Sequence, residues 1–343
     1  MIPHNKPTFG IEEEQAALRV IRSGWVAQGC EVEAFENEFC EFIGLPVGHA
    51  VAVASGTSAL FMALWALQAQ GKRVAFPVYT CSSLRHAVAM IGAIEQLVDV
   101  SPGTPNIDLQ ALSQTRADIA IVPHMFGLPL CISNLKDIEI IEDCAQALGA
   151  SVNDTFVGLQ GKLGIFSFYA TKLITSGGQG GMVVSKEKAL IDAIKDYRQF
   201  DCRQDKNKRF NFQMTDLQAA IGREQLYKLP NFLSRRDEIF NLYSQAGLEL
   251  LDIHSEFKNY LSPVRYRAVL KTPISSTNKI IQSLISMGIK LIIPIEDYEL
   301  LGDIFFNALM LSKKSVSLPI YPSLTNNEVQ YIISNLNELK EYK

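Results

Sequence analysis

Between residues 50 and 184, short apolar runs alternate with helical stretches across brief connections. The runs 50–54, 73–77, 95–100, 118–125 and 138–143 read as strands, and 59–70, 82–91 and 107–114 as helices. Such alternation predicts a mainly parallel sheet with helices on both faces, an α/β fold. Ligands of such sheets gather at the carboxyl ends of the strands. The residues Ser55 to Thr57, His124, Asp143 and Lys172 all follow strands, so that edge collects hydroxyls, an imidazole, a carboxylate and an amine.

Around this core, residues 1–10 read as an extended arm with prolines at 3 and 7, and 11–23 and 31–43 as helices. Helices are predicted at 186–200, at 215–229 with Pro230 ending it, and at 231–246. From residue 247 the texture changes. Residues 264–270 alternate like a half-exposed strand, 278–287 read as a helix, 290–295 as a strand and 325–341 as a polar helix. The expected division is a large domain over 1–246, arm included, and a smaller α+β domain over 247–343.

Composition excludes several classes. The chain has 343 residues, 48% hydrophobic and 20% charged, with a net charge of -4. That balance suits an enzyme-sized globular protein and offers no field for nucleic acid. The basic cluster 203–209 is broken by Asp205 and reads as a solvated loop. The six cysteines form no CxxC pair and the five histidines stand alone, so no metal-ligand spacing occurs. With no apolar signal core and no membrane-length apolar run, a cytoplasmic protein in a reducing compartment is expected.

The stretch from Gly164 to Gly181 is the most distinctive. A strand is predicted at 165–169, with Ser167 among apolar and aromatic residues. Lys172 follows as the one charge, then Gly177, Gly178, Gly180 and Gly181, then the strand 182–184. No acid in this stretch pairs with Lys172. Desolvation favours a neutral lysine amine, and such an amine is a nucleophile suited to Schiff-base chemistry. Taken alone, Lys172 also reads as a solvated loop lysine. The turn at 55–58 likewise reads either as a phosphate seat at a helix N-terminus or as an ordinary cap.

Taken together, the motifs resemble the DegT/StrS-type sugar aminotransferases, which are fold-type-I pyridoxal-phosphate enzymes. They are Ser-Gly-Thr-Ser-Ala-Leu at 55–60, Glu-Asp-Cys-Ala-Gln-Ala at 142–147 and Phe-Ser-Phe-Tyr-Ala-Thr-Lys at 166–172. Gly-Gln-Gly-Gly-Met at 178–182, Phe-Asn-Phe-Gln-Met-Thr-Asp-Leu-Gln-Ala-Ala-Ile-Gly at 210–222 and Leu-Pro-Ile-Tyr-Pro-Ser-Leu-Thr at 318–325 follow in order. The resemblance runs from about residue 11 to 330. It implies pyridoxal 5'-phosphate (PLP) as cofactor and Lys172 as the catalytic residue that holds it covalently and shuttles a proton. Asp143 is implied at the pyridine nitrogen, where a carboxylate keeps the ring an electron sink. Gln146 is implied beside the ring, and Gly56, Thr57 and Ser167 at the phosphate. Asn211 is implied to reach the neighbouring subunit's phosphate, which makes the active unit a homodimer with shared sites. The implied partners are an amino donor, L-glutamate, and a nucleotide-linked keto-sugar.

The sequence departs from the family pattern in places. Where an aromatic often stacks on the cofactor, it reads Tyr79-Thr-Cys81-Ser-Ser83. Gln213 replaces a basic residue, Gln179 replaces a Glu, Lys162 follows Gly161 where Asp is common, and 293–298 lacks the usual histidine. These changes concern the acceptor more than the cofactor. Two other readings stay open: another fold-type-I enzyme, a lyase or an aminotransferase for a small non-sugar ketone, and a non-catalytic PLP-binding regulator. A dinucleotide fold lacks its GxGxxG, since the glycines at 158, 161 and 164 precede a strand. Lys172 argues against the family's lysine-free dehydratases.

Overall fold

The computed structural model describes residues 1–135 and 137–339. Two helices open it, α1 (Ile11–Ser23) and α2 (Cys30–Ile43). Then come β1 (Ala50–Val53), α3 (Gly56–Ala66), β2 (Arg73–Pro77), α4 (Ser83–Ile91), β3 (Ile94–Val98), α5 (Leu109–Ser113), β4 (Ile119–Pro123) and β5 (Glu139–Asp143). A small hairpin of β6 (Ser151–Val152) and β7 (Thr155–Phe156) precedes β8 (Leu163–Ser167), β9 (Gly181–Val184), α6 (Lys188–Arg198) and the long α7 (Asp216–Gln245). The remainder holds β10 (Leu261–Ser262), β11 (Ala268–Lys271), α8 (Thr277–Ser286), α9 (Phe306–Lys313), β12 (Ser315–Leu318) and α10 (Asn326–Glu338).

The main sheet runs β1-β9-β8-β5-β4-β2-β3. Its pairs are parallel except those of β9, which runs against both neighbours. The reason lies in the connection. The loop 168–180, which carries Lys172, returns the chain without a crossover helix, so β9 has to run back beside β8. Strand residues divide between two cores. Val51, Val53, Ile121, Ile165 and Val183 face α3 and α4. Ala50, Ala52, Phe166, Met182 and Val184 face α2 and α7, where Phe35, Phe39 and Phe168 pack. Burial on both faces is what a sheet covered by helices requires.

A third core joins β11, β12, α8 and α10 to Ile239, Phe240 and Tyr243 from the end of α7. The fully buried Arg236 ties this core to the segment before β11. Its Nη1 donates to the carbonyls of Tyr266 and Ile320 at 3.2 and 2.9 Å, and burial lowers its pKa to about 10.

Several expectations are corrected. Pro230 does not end a helix: α7 passes through it as one element. A proline forfeits only its own N–H bond and local geometry, and Leu226, Leu229 and Phe232 are buried around it, so packing outweighs the break. Residues 290–295 form no strand, only a bridge from Ile292 to Ser317, because Pro294 interrupts the ladder. The strand expected at 264–270 begins at Ala268, since Arg265 and Tyr266 leave the ladder. The helix expected at 59–70 is Gly56–Ala66, and the strand expected at 118–125 stops at Pro123. The last helix ends at Glu338, and residues 340 and 341 of its expected span lie outside the described residues. Helix α9 and strand β12 were not foreseen. The basic cluster at 203–209 is indeed a loop, with Arg203 and Arg209 paired to Asp196 and Asp205.

The arm docks on the third core. Ile2 N–H donates to Gly288 O at 2.7 Å, and Ile2 O accepts from Lys290 N–H at 2.9 Å. His4 Nε2 lies 2.9 Å from Ser317 Oγ, and Asn5 Nδ2 donates to Thr171 O at 2.7 Å, one residue before Lys172. Burial, with Arg267, Lys290 and Arg236 facing it, lowers the His4 pKa from 6.5 to about 3. A histidine held neutral in the folded chain but free to charge in the unfolded one contributes full stability above its unfolded pKa. That contribution is lost as pH falls below it. Between pH 8 and pH 5 the urea midpoint of the wild type is therefore expected to fall more steeply than that of His4→Asn. Parallel slopes would contradict the docking chemistry.

Candidate active site

At the carboxyl edge of the sheet lies a cleft of about 240 Å³. Gly56, Thr57, Asp143, Gln146, Ser167 and Lys172 all line it. Asn211 does not. It is exposed, with its Oδ1 accepting from Gln213 N–H at 3.0 Å.

The first wall is the N-terminus of α3. Ser55 caps it, its Oγ accepting from Ser58 N–H at 3.1 Å, and Ala59 N–H donates to Ser55 O at 3.0 Å. The N–H groups of Gly56 and Thr57 have no acceptor among the described residues, as at any helix start. A Cβ on Gly56 would stand 2.8 Å from Ser167 Cβ and 3.0 Å from its Oγ. The missing side chain lets a strand hydroxyl approach two free N–H groups at the positive end of a helix. This donor set fits a phosphate dianion.

The second wall is the end of β5. Asp143 Oδ1 accepts from Ala145 N–H at 2.9 Å, and no described residue donates to Oδ2. Burial raises the carboxyl's pKa, while the Ala145 N–H and the charge of Lys172 act against the rise. A buried carboxylate with an open oxygen facing a cleft fits a pyridine N–H.

Strand alternation sends the neighbouring Glu142 to the opposite face. There it accepts from Gln160 N–H at 2.7 Å, Gly161 N–H at 2.8 Å and His124 Nε2 at 2.9 Å. Burial pushes its carboxyl up, but the hydrogen bond from His124 and the backbone donors outweigh this and hold it low. His124 Nδ1 accepts from Leu130 N–H at 3.0 Å, so its proton sits on Nε2. His124, Glu142 and Cys144 bring ligand-type atoms within 4.8 Å of one another. Both imidazole nitrogens are already engaged, so the trio offers no metal site.

Beyond His124 the chain turns sharply. Phe126 is left-handed at φ 60° and Gly127 at φ 87°. A Cβ on Gly127 would lie 2.1 Å from Val264 O, so only glycine fits there. The turn aims Phe126 N–H at Gln146 Oε1, 2.8 Å away. Gln146 Nε2 is left without an acceptor among the described residues.

Lys172 sits in the loop between β8 and β9, half-buried, with its N–H on Tyr169 O at 2.9 Å. Its Nζ has no acid partner among the described residues and lies 5.4 Å from the Tyr266 ring centroid. Cys81 lines the cleft, whereas Tyr79 is wholly buried outside it. Gln179 also lines the cleft, but Gln213 and the loop 293–298 do not. Two residues that bear on the site were not legible as such in the sequence: Glu142 behind the edge and Tyr266 beside Lys172. For Glu142 a signal existed, because two adjacent carboxylates at a strand end must face opposite ways.

Glu142→Ala would leave two backbone N–H groups and His124 without their buried acceptor. A loss of about 3–5 kcal/mol is expected, read as a shift in the urea midpoint. A loss under about 1 kcal/mol would show that this carboxylate is dispensable to the edge.

The chain is similar to known proteins over nearly its whole length. The model of the DegT/DnrJ/EryC1/StrS aminotransferase family matches residues 7–337. GDP-perosamine synthase of Escherichia coli O157:H7 is 28% identical over 361 residues, covering 98% of both chains. The crystal structure of the aminotransferase TlmJ from Streptoalloteichus hindustanus superposes with a TM-score of 0.92 at 24% identity, covering 98% of both chains. The PLP form of Spr1654 from Streptococcus pneumoniae does so with a TM-score of 0.88 at 22% identity, covering 99% of this chain and 100% of that one. The fold is therefore that of the fold-type-I aminotransferases, and the chain belongs to the DegT/DnrJ/EryC1/StrS aminotransferase family.

Proposed function

We propose that this chain is a PLP-dependent aminotransferase that moves an amino group from L-glutamate to a nucleotide-linked keto-sugar, giving an amino sugar. The observation that carries the reading is the convergence of Lys172, Asp143 and the phosphate-type donors Gly56, Thr57 and Ser167 on one cleft. The acceptor class is supported by the family and by the relative that makes GDP-perosamine.

When bound, PLP supplies an electron sink that makes the donor's Cα–H acidic. The protein's own part is to orient and to move protons. The Gly56 and Thr57 N–H groups and the Thr57 and Ser167 hydroxyls would hold the phosphate. Asp143 Oδ2, which has no donor among the described residues, would pair with the pyridine N–H and keep the ring nitrogen protonated. Gln146, steadied by Phe126 N–H, would offer its Nε2 beside the ring. The Lys172 amine would hold the cofactor and serve as the base that takes the donor's Cα proton.

We further infer a homodimer, with Asn211 of each subunit completing its partner's phosphate site. Asn211 lies outside its own cleft, and its neighbour Phe210 is exposed, as are Trp25 and Tyr227. The proposed division is 1–246 for the cofactor and 247–343 for the smaller domain. Among the described residues no helix is long and apolar enough to cross a membrane, and the six cysteines are free. These facts support a cytoplasmic place for the enzyme.

The test is the absorbance of the purified chain with PLP, then with excess L-glutamate. A yellow band is expected with Lys172 and not with Lys172→Ala, and glutamate is expected to bleach it. With no band, the PLP reading falls. A band indifferent to glutamate would favour a lyase or a non-catalytic regulator. For the shared site, Asn211→Ala is expected to retain PLP poorly. Mixing it with Lys172→Ala chains should restore tight PLP on the hybrid dimers. No restoration would remove Asn211 from the partner's site.

A further inference from the structure

A second cavity, of about 390 Å³, shares no lining residue with the cleft. It opens where α9 meets the end of β11, beside the turn at Pro102. Helix α9 is tied down at both ends there. The Asn307 and Ala308 N–H groups each donate to the Asp99 carboxylate at 3.0 Å, and Asn307 Nδ2 donates to Val100 O at 2.9 Å. Past the other end, Lys314 O accepts from Thr272 N–H at 2.9 Å. The walls of the cavity are therefore fixed.

Strand alternation decides what β12 presents to it. Val316 and Leu318 belong to the third core, so Ser315 and Ser317 face the other way. Ser317 Oγ meets His4 and Arg267. Ser315 lines the cavity, and its Oγ is buried with no partner among the described residues. A buried hydroxyl left unpaired is costly, and a ligand in the cavity would satisfy it. Lys271 stands directly across the ladder on the same face. Its Nζ holds Glu249 at 3.0 Å in an exposed pair that contributes little. Lys314 also lines the cavity, exposed, and no described residue pairs with its Nζ. No Asp or Glu lines it. The rest of the wall is apolar: Leu251 and Leu311 are buried, Met310 is half-buried and Phe306 is 69% exposed.

We propose that this cavity is a second ligand site, one that takes a small carboxylate carried on a short apolar chain. Leu251, Phe306, Met310 and Leu311 would cover the chain. The Lys314 ammonium and the Ser315 hydroxyl offer donors for the two carboxylate oxygens. The chain as a whole carries a net charge of -4, so two lysines at a mouth without a lining acid are a local feature that selects an anion. A phosphate dianion has more acceptor sites than this donor pair serves. The bound molecule would touch α9, β12 and the turn at Pro102 together, so binding stabilises their junction. The proposal does not depend on the aminotransferase reading.

The test is calorimetry of octanoate with the full chain, with and without PLP. Saturable binding is expected, unchanged by PLP. Acetate and 1-octanol, each keeping one half of the ligand, are expected to bind at least about 10-fold more weakly. Lys314→Gln and Ser315→Ala are each expected to weaken octanoate by roughly 3- to 10-fold. Met310→Asp, which sets a like charge in the apolar wall, is expected to weaken it by roughly 10-fold or more. Lys314 is exposed, so its variant carries the test if the others fail to fold. Octanoate is also expected to raise the Tm of the wild type more than that of Lys314→Gln. No saturation, or equal affinity in the wild type and the variants, would overturn the proposal. So would displacement of octanoate by PLP, which would place it in the active cleft, and equal affinity for 1-octanol, which would leave an apolar hollow with no seat for an anion.

Discussion

The carboxyl edge of the sheet depends on one buried carboxylate. Glu142 is fully enclosed, where an isolated charge would be far too unfavourable to survive. It persists because the Gln160 and Gly161 N–H groups and the His124 imidazole converge on it. Those donors come from the loop before β8 and from the end of β4, while Glu142 itself ends β5. One charge therefore sets three chain segments relative to one another. Asp143, the next residue, inherits that placement with its side chain on the opposite face.

His124 extends the same constraint outward. With Nδ1 occupied by Leu130 N–H and Nε2 by Glu142, the ring has one tautomer and one orientation. The chain leaves it through the left-handed pair Phe126 and Gly127, a conformation held by surrounding contacts rather than by preference. Gly127 then lies against Val264, and Phe126 bonds Gln146. The geometry of the cleft and the position of the C-terminal segment thus share one origin. Arg236 reinforces the link from the other side, reaching the carbonyls of Tyr266 and Ile320 from α7.

How much of this the sequence disclosed follows from the range of each interaction. The strands and helices between 50 and 184 were legible because apolar runs and capping residues act locally. Gly56, Thr57, Asp143, Gln146, Ser167 and Lys172 were legible as motifs, and they do line one cleft. The break expected at Pro230 was a local rule overridden by burial along α7. The strand expected at 290–295 failed at Pro294, which leaves Ile292 a single bridge to Ser317. Tyr266 was illegible as a neighbour of Lys172. It sits in a run that alternates like an ordinary strand, and only the docking of Val264 on Gly127 brings it to Lys172.

The reversed strand β9 ties these points together. A helical crossover after β8 would have carried the chain across a face of the sheet. A direct return instead keeps the loop 168–180 at the strand ends, where Ala170 N–H bonds Gly178 O and Tyr169 bridges Gly178. The three glycines of that loop, Gly177, Gly178 and Gly180, allow the tight return, and the strands on either side anchor it. Lys172 is therefore carried on a short tether between two buried strands of the same core sheet that carries Asp143 and abuts α3. Its neighbour Thr171 is clasped by Asn5 of the arm. An amine so placed is restrained in backbone yet free along its side chain, which is what a group must be if it is to attach, let go and carry a proton within one cleft.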